Sequence, residues 1–225
     1  MTTTKLELIN RVLVNAHERV LTVSTQPLGN IVSDCIEEAL IEVSTSSQWV
    51  DLRNSTVATS WSTNVATLST SEVYKVSEVK TISGTTYQMS IPSRFVPKEE
   101  FDLQSIYSYS GTAGQVLYWT YETSQTVKCN PYPLDATAKA NVKFVYQIIP
   151  VPPSSDSTAY TLSERFLKMI EMKASSMFCF RYLSDIKAYQ VYQSEYERLR
   201  IRLLASDVGV PPQGYNMYRG NRRHY

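Results

Sequence analysis

The sequence predicts an α+β protein: a discontinuous helical bundle of about four helices drawn from both ends of the chain, with an inserted β-rich antiparallel domain and an extended C-terminal tail. Three observations predict it. Apolar residues recur at three and four positions in the first fifty residues and again after residue 158, the spacing of one face of a helix. Between about Val50 and Pro150 the composition shifts to Ser, Thr, Val and Tyr, which suit pleated, half-buried surfaces. After Pro211-Pro212 the chain lacks the apolar mass to fold by itself. The expected divisions are 1–49 with 158–207 for the bundle, 50–157 for the insert and 208–225 for the tail.

Thr4-Lys5-Leu6-Glu7 reads as a capping box, in which a hydroxyl and a carboxylate each satisfy an amide left free at a helix start. A helix from about Lys5 to Val23 follows, with Leu6, Ile9, Leu13, Ala16 and Val20 as its stripe. Pro27, Gly29 and Asn30 break the pattern, and a second helix over about Asn30 to Ser46 carries Ile31, Cys35, Ala39 and Val43, with Ile36 and Leu40 beside them, on one side. These two helices are expected to pair. In the insert, 73–82 and 85–91 flank Ser83-Gly84 as one hairpin, and 115–122 and 125–130 flank Thr123-Ser124 as another. Pro97 can open a short helical turn. Residues 140–149 alternate, with Val142, Phe144, Tyr146 and Ile148 toward a core and Lys143 and Gln147 toward water.

The connector 150–158 is Pro-rich and polar, after which Thr161-Leu162-Ser163-Glu164 repeats the capping-box pattern. A broad apolar face through Phe166, Ile170, Ala174 and Phe178 marks the third helix as a central one. Ser184-Asp185 caps the fourth, where Tyr189, Tyr192, Tyr196, Leu199 and Leu203 form the stripe and the charges occupy the rest.

The totals narrow the chemistry. A formal net charge of +1 excludes a chain-wide basic field, so any nucleic-acid affinity must be local. Three distant cysteines, Cys35, Cys129 and Cys179, read as buried thiols of a reducing compartment rather than a disulfide framework. No continuous apolar run could span a membrane or act as a signal segment, so synthesis in the cytoplasm and no membrane partner are expected. The two histidines, His17 and His224, have no Cys or carboxylate at ligand spacing, and no phosphate loop or nucleophile elbow is present. The expectation is therefore no metal, no cofactor and no catalytic residues. Glu37-Glu38 and Glu99-Glu100 read as solvated faces. The 16 tyrosines against six phenylalanines suit half-wet positions, at sheet faces or subunit contacts.

The tail 209–225 points outward. It contains Tyr215, Tyr218, Tyr225, Arg219, Arg222 and Arg223 and no acid. Ordering each residue costs about 1 to 2 kcal/mol of backbone entropy, so the tail stays a mobile solubilising end or meets a surface large enough to offset that cost. The surface could be a protein groove with acidic rims. It could equally be the DNA backbone, where three phosphate contacts would give a slope of about −2.7 in log K against log salt.

The stretch GQVLYWTYETSQTVKCNPYPLDATAKANVKFVYQIIPVPP, followed by LSERFLKMIEMKASSMFCFRYLSDIKAYQVYQSEYERLRIRLL, resembles the second half of head-to-tail adaptors of tailed bacteriophages, and within them the tail tubular proteins of short-tailed phages. The shared pattern is a strand opened by glycine, a strand ending in the turn Asn130-Pro131-Tyr132-Pro133, a strand with alternating aromatics, a Pro-rich connector, and two helices in which Glu195-Tyr196 precedes a leucine. The pair of helices before a β-rich insert fits as well. The resemblance implies a virion protein of the tail at the capsid vertex. It implies a ring homo-oligomer, usually of twelve copies, between the portal protein and the tail nozzle protein, with tail fibres as possible further partners. DNA would cross the channel without sequence-specific binding. It also implies a C-terminal portal-docking arm, for which Tyr215, Tyr218, Arg219, Arg222 and Arg223 are the candidate residues. The rival from the residues alone is a DNA-binding accessory tail protein that uses the basic tail.

Overall fold

The computed structural model describes residues 2–68, 73–83, 89–105, 116–123, 125–131, 133 and 135–207. Among them the chain is mixed α+β, with six helices and two sheets. It divides into two compact units, one of residues 1–51 and 150–225 and the other of residues 52–149.

In the first unit, α1 (Lys5–Asn15) opens on the expected capping box: Thr4 accepts from the Glu7 amide and the Glu7 carboxylate accepts from the Thr4 amide. The helix ends well before Val23. His17 takes a left-handed conformation (φ 58°), its amide donates to the Val14 carbonyl, and the Glu18 amide donates to Leu13 at 2.8 Å, a Schellman closure. Asn10 then clamps the returning chain, accepting from the Leu21 amide at 2.8 Å and donating to the Leu21 carbonyl at 3.0 Å. Leu21 is buried, whereas Val20, expected on the stripe, is exposed. An L-residue in the left-handed region costs about 1 to 2 kcal/mol. We therefore expect His17→Gly to raise the urea unfolding midpoint, by an equivalent of about 1 kcal/mol; a lowered midpoint would refute the cap assignment.

Helix α2 (Pro27–Ser46) begins three residues earlier than its periodicity suggests, because proline at the first position has no amide to leave unpaired. It buries Val32, Cys35, Ile36, Ala39, Leu40 and Val43. Helix α5 (Glu164–Arg181) packs against α1, α2 and α6 (Ile186–Asp207). Its N-cap is Ser163, not Thr161: the Ser163 hydroxyl accepts from the Phe166 amide at 3.3 Å and donates to Asp51 at 2.5 Å. Glu164 is drawn elsewhere, accepting from the Thr3 hydroxyl at 2.7 Å and from Arg11. The Pro-rich segment after residue 150 lies in this unit. Lys5 and Leu6 donate to the carbonyls of Thr158 and Asp156, and the Ser24 amide reaches the Asp156 carboxylate at 2.8 Å. The hydroxyl and amide of Ser24 hold that carboxyl below the usual range.

The second unit has two sheets. In the first, of order β1-β9-β4-β5, β1 is Arg53–Thr56, β4 is Val73–Ser83, β5 is Met89–Pro92 and β9 is Val142–Ile148, all antiparallel. In the second, β2 (Ser60–Ser62), β3 (Val65–Thr67), β8 (Thr126–Asn130), β7 (Tyr118–Tyr121) and β6 (Arg94–Phe95) follow in that order, with β6 joined to β7 in parallel. Val76, Val79, Phe144 and Tyr146 from one sheet and Trp119, Val127 and Cys129 from the other share one core. The expected strand pairs form as β4–β5 and β7–β8, but in a different register: Ser83, expected in a two-residue turn, is a strand residue opposite Met89, and Tyr121 opposes Val127, which leaves no two-residue turn at Thr123-Ser124; residues 84–88 and Ser124 lie outside the described residues. The short helix after Pro97 is α3 (Lys98–Ser105), with the Phe101 amide bonded to the Pro97 carbonyl. An unexpected helix, α4 (Ala136–Asn141), is capped by Asp135 and delays the start of β9 to Val142. Gln147, expected to meet water, is buried, as is Val145 on the same side of β9, so that side of the strand is covered as well.

Candidate functional site

The arm residues singled out by sequence, Tyr215, Tyr218, Arg219, Arg222 and Arg223, lie outside the described residues, as does His224. His17 sits one position beyond the C-cap of α1 rather than inside the helix. All three thiols are buried and free. Burial pushes Cys35 up to about 11 and also raises Cys129 and Cys179, so at neutral pH they are protonated and poor nucleophiles.

Several tyrosines that could have served outside contacts are used inside. Tyr146, Tyr160 and Tyr196 are buried. Lys173 lies 5.3 Å from the Tyr196 ring centroid, and the Tyr192 hydroxyl donates to the Asn15 carbonyl, fastening α6 to the end of α1. The expected stripe of α6 therefore faces inward at Tyr196 and Leu203.

The apolar surface that stays outside belongs to other residues. The α5–α6 corner turns at Ser184 (φ 52°), closed by the Asp185 amide to the Cys179 carbonyl at 3.0 Å, and the Asp185 side chain caps α6 through the Ala188 amide at 3.0 Å. This corner exposes Phe180, Tyr182, Leu183 and Ile186, and Val191 and Ile201 continue along α6 at 64% exposure each. Beside Val191 runs an open groove of about 640 Å³, lined in part by Met172 and edged by Lys187, Gln190, Ser194 and the ion pair of Glu195 with Arg198. Sequence reasoning placed the outward side of α6 among charges and passed over its aliphatics. The signal was available: Ile186, Val191 and Ile201 are β-branched apolar residues that fall off the inward stripe.

A second cleft, of about 600 Å³, lies along α1 and α5 and is lined by Glu7, Asn10, Arg11, Glu164, Lys168 and Glu171. Among the described residues Glu171 is the only buried acid. One of its oxygens accepts from Lys168 at 2.6 Å and from Asn15 at 3.0 Å; the other lies 3.9 Å from Arg11. The Thr3 hydroxyl, then Arg11, hold the Glu164 carboxyl below its usual range. Arg11 and Lys168 with Glu164 and Glu171 join two helices. The second oxygen of Glu171 is buried without a hydrogen-bond partner, but the cluster offers no imidazole or thiol beside it, and it reads as a fastening.

Among the described residues, no group of three or more His, Cys, Asp or Glu could hold a metal ion, and no helix is long and apolar enough to cross a membrane. What the fold and this surface define is a class: a mixed α+β protein whose helical unit leaves apolar side chains of a helix face, edged by charged residues, uncovered. Comparison with known proteins finds no matching family model and no matching curated protein.

Proposed function

We propose that this chain is a structural virion protein, a head-to-tail adaptor that forms a ring between portal and tail nozzle and lets DNA pass. In this reading α1, α2, α5 and α6 make one discontinuous bundle from both ends of the chain, and residues 52–149 are the inserted β-rich domain. The bundle builds the ring wall, the β-rich domain faces the nozzle or the fibres, and the tail is the arm that folds on the portal. The role is one of assembly, without catalysis or cofactor.

The observation that carries the reading is the group Phe180, Tyr182, Leu183 and Ile186 left exposed at the α5–α6 corner, with Val191 and Ile201 exposed further along α6. Large apolar side chains grouped at one place on a folded unit mark a surface that another molecule covers. A ring subunit needs such surfaces twice, once for each neighbour. The near-zero net charge suits a channel, since every phosphate neutralised would hold the duplex back.

Removing residues 208–225 tests the arm. The shortened chain should remain soluble and folded, with an unchanged circular dichroism spectrum, and should no longer co-sediment with portal rings. Co-sedimentation equal to that of the full chain would overturn the arm's role. The second reading, a DNA-binding accessory protein, is favoured by one feature, the acid-free tail with Arg219, Arg222 and Arg223. Titration against duplex DNA separates the two: tight binding with a log–log salt slope near about −2.7 supports the accessory protein, and negligible affinity supports the adaptor.

A further inference from the structure

Helix α2 carries four acids and no Lys or Arg. Its buried side is turned inward, and on the outside Ile41, 53% exposed, sits among Asp34, Glu37 and Glu38 at helical neighbour positions. Glu38 is paired with Arg181 and Glu42 with Lys173. Asp34 and Glu37 are exposed and form no ion pair among the described residues. The outward side of α6 carries unmatched bases. Its groove has Val191 and Met172 as apolar walls and Lys187, Arg198 and Glu195 along its edges, Arg198 being paired with Glu195 at 2.5 Å, and Arg202 stands exposed one turn beyond. Lys187 and Arg202 form no ion pair among the described residues. Both helices pack on α5, and no comparable packing joins α2 to α6.

We propose that the acidic face of α2 docks on the groove of α6 in a second copy of this chain, with Ile41 entering between Val191 and Met172 and Asp34 and Glu37 meeting Lys187 and Arg198. An aliphatic knob with an acidic rim complements an aliphatic groove whose two bases, Lys187 and Arg198, outnumber its one acid, Glu195, and opposite potentials both steer the encounter and fix its register. The two patches differ, so the contact is heterologous: each copy donates α2 to one neighbour and offers α6 to the other. Such a contact closes into a ring when its rotation allows. The choice of a second copy as occupant rests on the adaptor reading, and the lateral contact that reading requires is what this pairing supplies.

Charge reversal on the full-length chain tests it. Asp34→Lys with Glu37→Lys makes both faces basic, and Lys187→Glu with Arg198→Glu makes both acidic. Each pair of exchanges should weaken self-association in sedimentation velocity by at least about tenfold, because like charges then oppose across the contact. An equimolar mixture of the two variants should regain it, since each altered face then meets its altered complement. The exchanges are at exposed positions, and unchanged thermal unfolding of each variant checks that the fold is intact. A wild-type chain that is monomeric at every concentration, a variant that associates as the wild type does, or a mixture that stays dissociated overturns the pairing. Portal co-sedimentation separates this from the adaptor reading. If the mixture fails to recover while the wild type still joins portal rings, only the pairing falls; if recovery occurs in a chain that never joins a portal, the pairing stands and the adaptor reading falls.

Discussion

Phe166→Ala should lower the stability of the helical unit by about 3 to 5 kcal/mol, the range for emptying an aromatic site in a packed core. Phe166 is fully buried in the first turn of α5 and meets the edge of Trp49 with ring centroids 5.7 Å apart and planes at 77°. Trp49 is itself held, its indole donating to the Val43 carbonyl at 2.7 Å. The pair therefore joins the chain just after α2 to the start of α5. Both rings are enclosed in a close-packed core, so truncating one leaves a cavity. Urea unfolding followed by far-ultraviolet circular dichroism measures the loss, and a double-mutant cycle with Trp49→Leu should show coupling of about 0.5 to 1.5 kcal/mol. A loss below about 1 kcal/mol would mean that the site collapses and that the two ends are joined elsewhere.

Gly29→Ala should destabilise the same unit by about 2 to 3 kcal/mol, the scale of an overpacked core, although the exchange inside an ordinary helix gains about 1 kcal/mol. Gly29 lies in the first turn of α2 and is buried. A Cβ there would come within 2.9 Å of the Ser24 carbonyl carbon, nearer still to its oxygen, and 3.1 Å from a methyl of Leu21. The obstacle is backbone rather than the end of a flexible chain. Ser24 cannot yield freely, because its amide is bound to Asp156 and Leu21 is clamped by Asn10. A thermal unfolding midpoint at or above that of the wild type would show that the segment 18–24 can move away, and the close packing would lose its significance.

Much of the helical unit was legible because its signals are local. The capping box at Thr4 and the Asp185 cap depend on groups three residues apart, and both stand where the sequence placed them. The inward residues of α2 and α5 follow from a spacing that any helix must obey. The misreadings share a different cause. The end of α1 was set by Asn10 reaching eleven residues ahead, and the cap of α5 by Asp51 and Arg11 taking Ser163 and Glu164 for their own bonds. Gln147 is buried because both sides of β9 are covered there, which alternation along one strand does not encode. Helix α4 had a visible cap in Asp135 but no apolar period to announce it.

The candidate assembly surface divides in the same way. The basic, acid-free character of residues 209–225 and the acidic character of α2 can be read directly, because charge is a property of each residue. Which apolar side chains remain uncovered is a property of neighbours. Tyr196 and Ile201 lie five residues apart on one helix, yet α5 covers the first and leaves the second to solvent. By itself the sequence determined the helical period, the caps and the sign of each face. The tertiary structure decided where helices stop, which charges are already matched, and which faces are left without a partner, because burial and pairing depend on residues that only folding brings together.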